Sequence, residues 1–306
     1  MLKGSLRHYS PFAQLLLSLI IVLGSFLLTM FAGSILAYLI YGVNIFTDTQ
    51  VINIHSDTVN LSILKFYQSV YSAGMFIIPP FVLAYLIHDN TVEYLYLKEK
   101  PKFLNAFFAT IIIVAALPMI NFLAEINSYM QLPDFLAGVE NWMKASEEQA
   151  KVVTEKFLVM NSSSDLWVNL LVIALIPAIG EELLFRGVIQ RIFSNMTKNI
   201  HLGIIITAFL FAALHMQFYG LLPRMAMGIL FGYLLIWSKN LWVPIIAHLM
   251  NNGLAVLAKY YVSKGSLPKE VETVGAEGNF LIPGILSIIL VLFLMHTFYR
   301  IGKRQA

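Results

Sequence analysis

Glu181 and Glu182 stand side by side in the run Ile179-Gly180-Glu181-Glu182-Leu183-Leu184-Phe185-Arg186-Gly187, and the approach to them, 167–180, carries no charge. A carboxylate at membrane depth costs about 2.5–3.5 kcal/mol on insertion scales, so two in succession point to a functional site with a partner. On a helix, residues four apart share a face, whereas neighbours diverge by about 100°. Glu182 is therefore set to pair with Arg186, with the glutamate N-terminal to the cation, the better orientation. Glu181 points elsewhere. An unpaired, desolvated carboxylate of this kind suits a general base or acid.

Two further groups follow downstream. Phe211 and His215 are four apart, so the ring can pack beside the imidazole and fix its orientation. His248 and Asn252 are four apart on another segment, and an imidazole beside an amide forms a donor pair for a developing oxyanion. The same histidines, taken with Glu181, could equally ligate a metal. Helix rise puts Glu181 ~21 Å, His215 ~18–22 Å and His248 ~11–12 Å from the cytoplasmic ends of their segments, all within a ~30 Å hydrocarbon core. A single intramembrane histidine is more often a hydrogen-bonded packing residue than a catalyst, and His88, His201 and His296 are left unassigned. Glu182–Arg186 alone reads as a structural ion pair. Glu181, His215, His248 and Asn252 on consecutive apolar segments are harder to explain by packing.

The segments that must position these groups are membrane spans. Of 306 residues, 58% are hydrophobic and 12% charged, and the mean hydropathy is +0.76; soluble domains carry about 25% charged residues. Eight apolar windows, 12–41, 67–88, 103–124, 165–195, 200–217, 222–238, 241–259 and 279–299, predict an all-α polytopic membrane protein of about eight transmembrane helices. The first window is far longer than the ~7–15 residues of a signal-peptide core, so it reads as a retained helix. The chain has no cysteine, which excludes disulfides, thiolate metal sites and a cysteine nucleophile.

If all eight segments cross, Lys3, Arg7, Lys98, Lys100, Lys102, Arg191, Lys198, Lys239, Arg300, Lys303 and Arg304 share one side. The positive-inside rule then places both termini in the cytoplasm. In the loop 260–278, Lys264 and Lys269 are balanced by Glu270, Glu272 and Glu277. The net charge of +3 is small and sits in short loops, which suits membrane topology rather than nucleic-acid binding. Apolar residues near helical spacing over 134–158 predict an extracytoplasmic amphipathic helix at the interface, capped by Asp134. A structural role for it outweighs a role as a substrate lid. Pro79-Pro80, Pro118 and Pro177 predict kinks, and Gly228 with Gly232 predicts close helix packing. The organisation reads as membrane helices in 1–126, an outer loop in 127–164, a catalytic helical core in 165–258, and a last helix with basic tail in 259–306.

Glu181-Glu182-x-x-x-Arg186, Phe211-x-x-x-His215 and His248-x-x-x-Asn252, in this order on successive spans, resemble the motifs of the CPBP family, which includes CAAX prenyl endopeptidases and bacterial Abi proteins. The resemblance covers about 165–258, and all three motifs match without a departure. It implies an intramembrane endopeptidase of glutamate type, in which Glu181 activates water with His215, His248 and Asn252 hold the oxyanion, and Glu182, Arg186 and Phe211 support them. Zinc held by Glu181, His215 and His248 is the mechanistic alternative, and metal-free chemistry is favoured. The implied partners are the bilayer and a hydrophobic or membrane-bound peptide or protein, with no nucleic acid, and a short chain of this kind looks like a bacterial plasma-membrane member. Motifs for zinc (His-Glu-x-x-His), serine (Gly-x-Ser-x-Gly) and aspartyl (Gly-x-Gly-Asp) proteases are absent. A proton-coupled transporter and a non-proteolytic immunity or scaffold protein are the rivals; no internal repeat supports the transporter.

Overall fold

A computed structural model describes residues 2–44, 47–51, 53–54, 59–274, 276 and 281–305, with Glu277 outside them. Among these residues there is helix and loop but no strand. The principal helices are α1 (Pro11–Tyr41), α2 (Leu61–Ile87), α3 (Phe103–Ser128), α4 (Ala137–Phe157), α5 (Ser163–Thr197), α6 (Ile200–Ala213), α7 (Leu221–Ser238), α8 (Trp242–Ser263) and α9 (Leu281–Gln305). The chain is a polytopic membrane protein.

Six of the eight expected spans fall on helices long and apolar enough to cross: α1, α2, α3, α5, α7 with the turn before it, and α9. The other two fall on α6 and α8. At 14 residues α6 extends about 21 Å, short of a ~30 Å core. Although α8 has 22 residues, His248, Asn251 and Asn252 dilute its apolar character. The two shortfalls lie in the motif region, where polar groups and short helices build the site.

One core joins Ile112, Ile113 and Ala116 of α3 to Phe231 and Leu234 of α7, Ala247 of α8 and Phe298 of α9. A second joins Leu83 and Ala84 of α2 to Leu183 and Val188 of α5 and Ile245 of α8. With Leu235 of α7 also in the second core, α7 and α8 are fixed from both sides. Gly228 and Gly232 pack α7 against α6, as their spacing predicts: a Cβ at Gly228 would lie 2.9 Å from the Ala208 Cβ, and one at Gly232 2.8 Å from Ile204 Cγ2.

Two of the prolines expected to kink helices open backbone ladders that a neighbouring helix repairs. Near Pro118, Ser287 of α9 enters the ladder of α3: Met119 N–H donates to Ser287 Oγ at 3.0 Å, and that hydroxyl donates to the Ala115 carbonyl at 2.5 Å. Pro177 has no N–H for the carbonyl of Ile173, four residues back, and Asn252 Nδ2 of α8 donates to it at 3.3 Å. Partner-helix polar groups commonly satisfy the backbone that a proline frees in a membrane. In α2 the departure from α-geometry precedes Pro79-Pro80, as a π-helical stretch over Ala73–Ile77.

The amphipathic element expected over 134–158 begins with a 3-10 turn, Asp134–Leu136, and continues as α4. Asp134 does not cap it. The residue before the helix is Leu136, which makes no side-chain cap, and Asp134 lies two residues before it, inside the 3-10 turn. None of the residues of α4 is buried, but the helix is tethered: Trp142 packs on Phe218 with ring centroids 5.2 Å apart, and Glu147 Oε2 accepts the Tyr219 N–H at 3.3 Å.

Candidate active site

The middle of α5 is where the sequence placed its unusual charges, and there the helix widens. Leu170–Leu175 and Glu182–Ile189 are π-helical, on either side of a short α-helical piece, Ile176–Glu181. π-bulges recur at functional sites because the extra residue per turn re-aims side chains. Glu181 and Glu182 sit at the junction of the second stretch.

Glu182 and Arg186 pair as their spacing predicts. Arg186 Nη1 donates to Glu182 Oε1 at 2.9 Å, both side chains being essentially unexposed. Arg186 Nη2 donates to the Gly228 carbonyl at 3.2 Å, and its guanidinium carbon lies 4.6 Å from the Phe211 ring centroid and 5.3 Å from that of Phe231. Two aromatic faces and a backbone carbonyl thus share the cation with its carboxylate, which is how a desolvated arginine is accommodated. Among the described residues Glu182 Oε2 and Arg186 Nε have no hydrogen-bond partner, so the pair is buried but incompletely satisfied there.

Glu182 has a second task that spacing does not reveal. His248 Nδ1 lies 2.9 Å from Glu182 Oε1, and its ring stacks on Phe231 at 5.1 Å and 21°. A carboxylate already bound to arginine accepts, so Nδ1 carries the proton and donates. The ring then meets the cavity through Nε2, which is 3.8 Å from Glu181 Oε2. Glu181 makes no ion pair of its own with Arg186 or Arg224 among the described residues.

His215 is fixed in the same manner by a different acceptor. Its Nδ1 lies 2.7 Å from the Phe211 carbonyl, and its ring meets that of Phe211 edge-on at 4.9 Å. A carbonyl can only accept, so Nδ1 donates and Nε2 keeps a free lone pair while the ring is neutral. Asn252 is held from both ends: Asn251 Nδ2 donates to its Oδ1 at 3.0 Å, and its Nδ2 spends one hydrogen on Ile173. Among the described residues no hydrogen bond joins Glu181 directly to His215, and His248 Nε2 lies 3.8 Å from the Glu181 carboxylate.

Glu181, Phe211, His215, His248 and Asn252 nevertheless line one cavity of ≈ 560 Å³. Glu182 and Arg186 lie behind its wall. Gln68 of α2 and Val153, Thr154 and Phe157 of α4 complete the opposite side. Arg224 also lines the cavity, and sequence reasoning missed it, although a lone arginine inside an apolar stretch is the same signal that singled out Glu181. Gln190, buried and donating to the Gly232 carbonyl at 3.4 Å, was missed because an amide in a helix carries no charge to betray it. His201 and His88 hydrogen-bond to the Tyr233 hydroxyl and around Asn90, away from the cavity. Among the described residues, no three His, Asp or Glu side chains come together as a group that would hold a metal ion.

Comparison with known proteins converges on the same segment. Residues 163–254 match the family described as type II CAAX prenyl endopeptidase Rce1-like. The chain is 34% identical over 88 residues to the Bacillus subtilis (strain 168) protein named "Putative membrane peptidase YdiL", covering 29% of this chain and 36% of that protein. It is 29% identical over 115 residues to the membrane-embedded CAAX protease MroQ of Staphylococcus aureus (strain USA300), covering 36% and 46% of the two chains. It is 30% identical over 127 residues to an uncharacterized 24.3 kDa protein of Escherichia coli, covering 40% and 56%. These matches span between about a third and just over half of the relatives' own length. No solved structure matches at a significant level. Residues 163–254, which carry all three motifs and Glu181, His215, Arg224, His248 and Asn252 of the cavity, are thus similar to CAAX-type membrane endopeptidases.

Proposed function

We propose that this protein is an intramembrane endopeptidase that hydrolyses a peptide bond in a membrane-associated or hydrophobic peptide. The observation that carries the reading is convergence. Glu181 of α5, His215 of the turn after α6, and His248 and Asn252 of α8 line one cavity, and both histidines are anchored through Nδ1 so that Nε2 is the atom left for chemistry. The match to the Rce1-like family and the likeness to MroQ, named a CAAX protease, support it.

In this reading Glu181 takes a proton from a water in the cavity, and the neutral His215 Nε2 holds or shares that proton. The hydroxide adds to the scissile carbonyl carbon. The resulting oxyanion accepts hydrogen bonds from His248 Nε2–H, when the ring carries both protons, and from the second Nδ2–H of Asn252. Glu182 stabilises that doubly protonated ring from behind. Collapse of the intermediate breaks the C–N bond, and Glu181 returns the proton to the departing amine. Glu182, Arg186 and Phe211 are positioning residues.

The reaction is assigned to Glu181 without a metal. A zinc-dependent version has one observation in its favour: histidines anchored at Nδ1 by a carboxylate or carbonyl are also how metal ligands are oriented. The bacterial relatives support a bacterial plasma membrane, and the charge distribution supports cytoplasmic termini.

Comparative peptidomics of membranes from cells carrying the wild type or Glu181→Gln, each with and without a chelator, tests the reading. We expect wild-type-specific cleavage products whose yield falls about 10²–10⁴-fold in Glu181→Gln and is unchanged by the chelator. His248→Ala is expected to cost about 10²–10³-fold. Products that persist in Glu181→Gln would refute the glutamate mechanism, and products lost only with the chelator would install the zinc version.

A further inference from the structure

The proposed chemistry leaves one charged side chain of the cavity without a task. Arg224, in the first turn of α7, lines the same cavity as Glu181, His215 and His248. Its acidic neighbours are Glu147, whose carboxylate takes the Tyr219 N–H, and Glu181; among the described residues neither lies within ion-pair distance of it. A guanidinium in a cavity at membrane depth, with no carboxylate in ion-pair contact among the described residues, is costly unless something anionic visits it.

Its pose is built rather than incidental. Arg224 Nη1 donates to the Gln217 carbonyl at 3.1 Å, and Nη2 donates to Gln217 Oε1. The guanidinium lies against the bare Cα of Gly220, where a Cβ would come within 2.9 Å of Arg224 Cζ. Gln217 and Gly220 belong to the link between His215 at the end of α6 and the start of α7, so the segment that carries a proposed catalytic histidine also sets the arginine. A guanidinium has five N–H donors in a planar fork. Gln217 engages only part of that fork, and what remains matches a carboxylate.

We propose that Arg224 is a specificity-determining residue that binds a carboxylate of the substrate close to the scissile bond. This deepens the protease reading by naming a substrate class: apolar peptides bearing a carboxylate, either a free C-terminus or an acidic side chain. Charge and bond share one cavity of ≈ 560 Å³, so the carboxylate lies within a few residues of the cleaved bond. Arg224 is absent from the proton transfers, and it acts by selecting and orienting.

Binding tests this independently of cleavage. The probes are three dansyl-labelled hexapeptides of Ala, Val and Leu: one with a free C-terminus, its C-terminal amide, and an amidated version with one internal Glu. Affinity is measured for Glu181→Gln protein in phosphatidylcholine nanodiscs, and for the same protein carrying Arg224→Gln or Arg224→Lys. We expect at least one carboxylate peptide to bind about tenfold or more tightly than the neutral amide, as suits a charge-assisted hydrogen bond. Arg224→Gln should abolish that gap without weakening the neutral amide, and Arg224→Lys should restore part of it. Preference for the free acid or for the internal Glu identifies the source of the carboxylate. Equal affinity for all three peptides, or a gap that survives Arg224→Gln, overturns the proposal. A gap that depends on Arg224 in a protein whose wild type cleaves none of the peptides would remove the protease reading and leave this one standing.

Discussion

α1 and α5 are both apolar enough to span a bilayer, and they serve opposite ends. The most apolar window of α1 has mean hydropathy 2.6 and is 11% buried within the protein; that of α5 has 1.9 and is 56% buried. The more hydrophobic helix is therefore the one that faces lipid. α1 is regular over 31 residues, while α5 is interrupted by two π-helical stretches and carries Glu181, Glu182 and Arg186. Hydropathy reports that a segment can enter the membrane. What it does there depends on which neighbours take it out of contact with lipid, because lipid tails are as apolar as leucine and give no drive to bury apolar surface.

The contrast predicts unequal costs. The largest belongs to the buried pair: Arg186→Ala leaves the Glu182 carboxylate uncompensated and should lower stability by about 3–5 kcal/mol, read as a shift in thermal unfolding in micelles. Leu28→Ala, on the exposed face of α1, should change it by less than about 0.5 kcal/mol. Comparable losses at the two sites would break the comparison.

Glycines sharpen it at a smaller scale. A Cβ at Gly180 of α5 would lie 2.8 Å from the Phe76 Cβ of α2, so Gly180→Val should cost about 1–3 kcal/mol through overpacking. Gly24 of α1 has nothing within 4 Å of its would-be Cβ, and Gly24→Ala should be neutral or stabilising by up to about 1 kcal/mol. The same unfolding assay reads both.

The smallest effect is expected outside the membrane, where Arg7, just before α1, bonds Asp89, just after α2. The Arg7 hydrogen bond holds the Asp89 carboxyl below its ordinary range. A group whose folded pKa is depressed stabilises above its unfolded value, near pH ~3.9, and that contribution disappears as pH falls through the folded value. Asp89→Asn should therefore matter slightly at neutral pH and not at all in strong acid. Carboxylate titration by NMR should show Asp89 shifted down in wild type and back toward normal in Arg7→Gln.

Much of the site was legible because helices make local geometry readable. Glu182–Arg186 and Phe211–His215 are each four apart, and each pair meets as that spacing dictates. Gly228 and Gly232 lie at a tight crossing for the same reason. What spacing did not give were the bonds that depend on how one helix turns toward another. His248 and Asn252 line the cavity together, but His248 is also bonded to Glu182, and Asn252 spends a hydrogen on the Ile173 carbonyl. Arg224 went unnoticed because no charged residue stands three or four positions from it to form a pair.

By itself the sequence determined an all-helical membrane protein, its likeness to CAAX-type endopeptidases over the motif region, and the side-chain pairs one turn apart, since helix periodicity and the cost of charge in lipid act through neighbouring residues. Only the tertiary structure decided which ring faces Glu181, which carboxylate anchors His248, and that α4 and Arg224 share the cavity. Those choices follow from the rotation and spacing of packed helices. In a medium that cannot solvate polar groups, each buried donor takes whichever acceptor packing brings within reach, however distant in the chain.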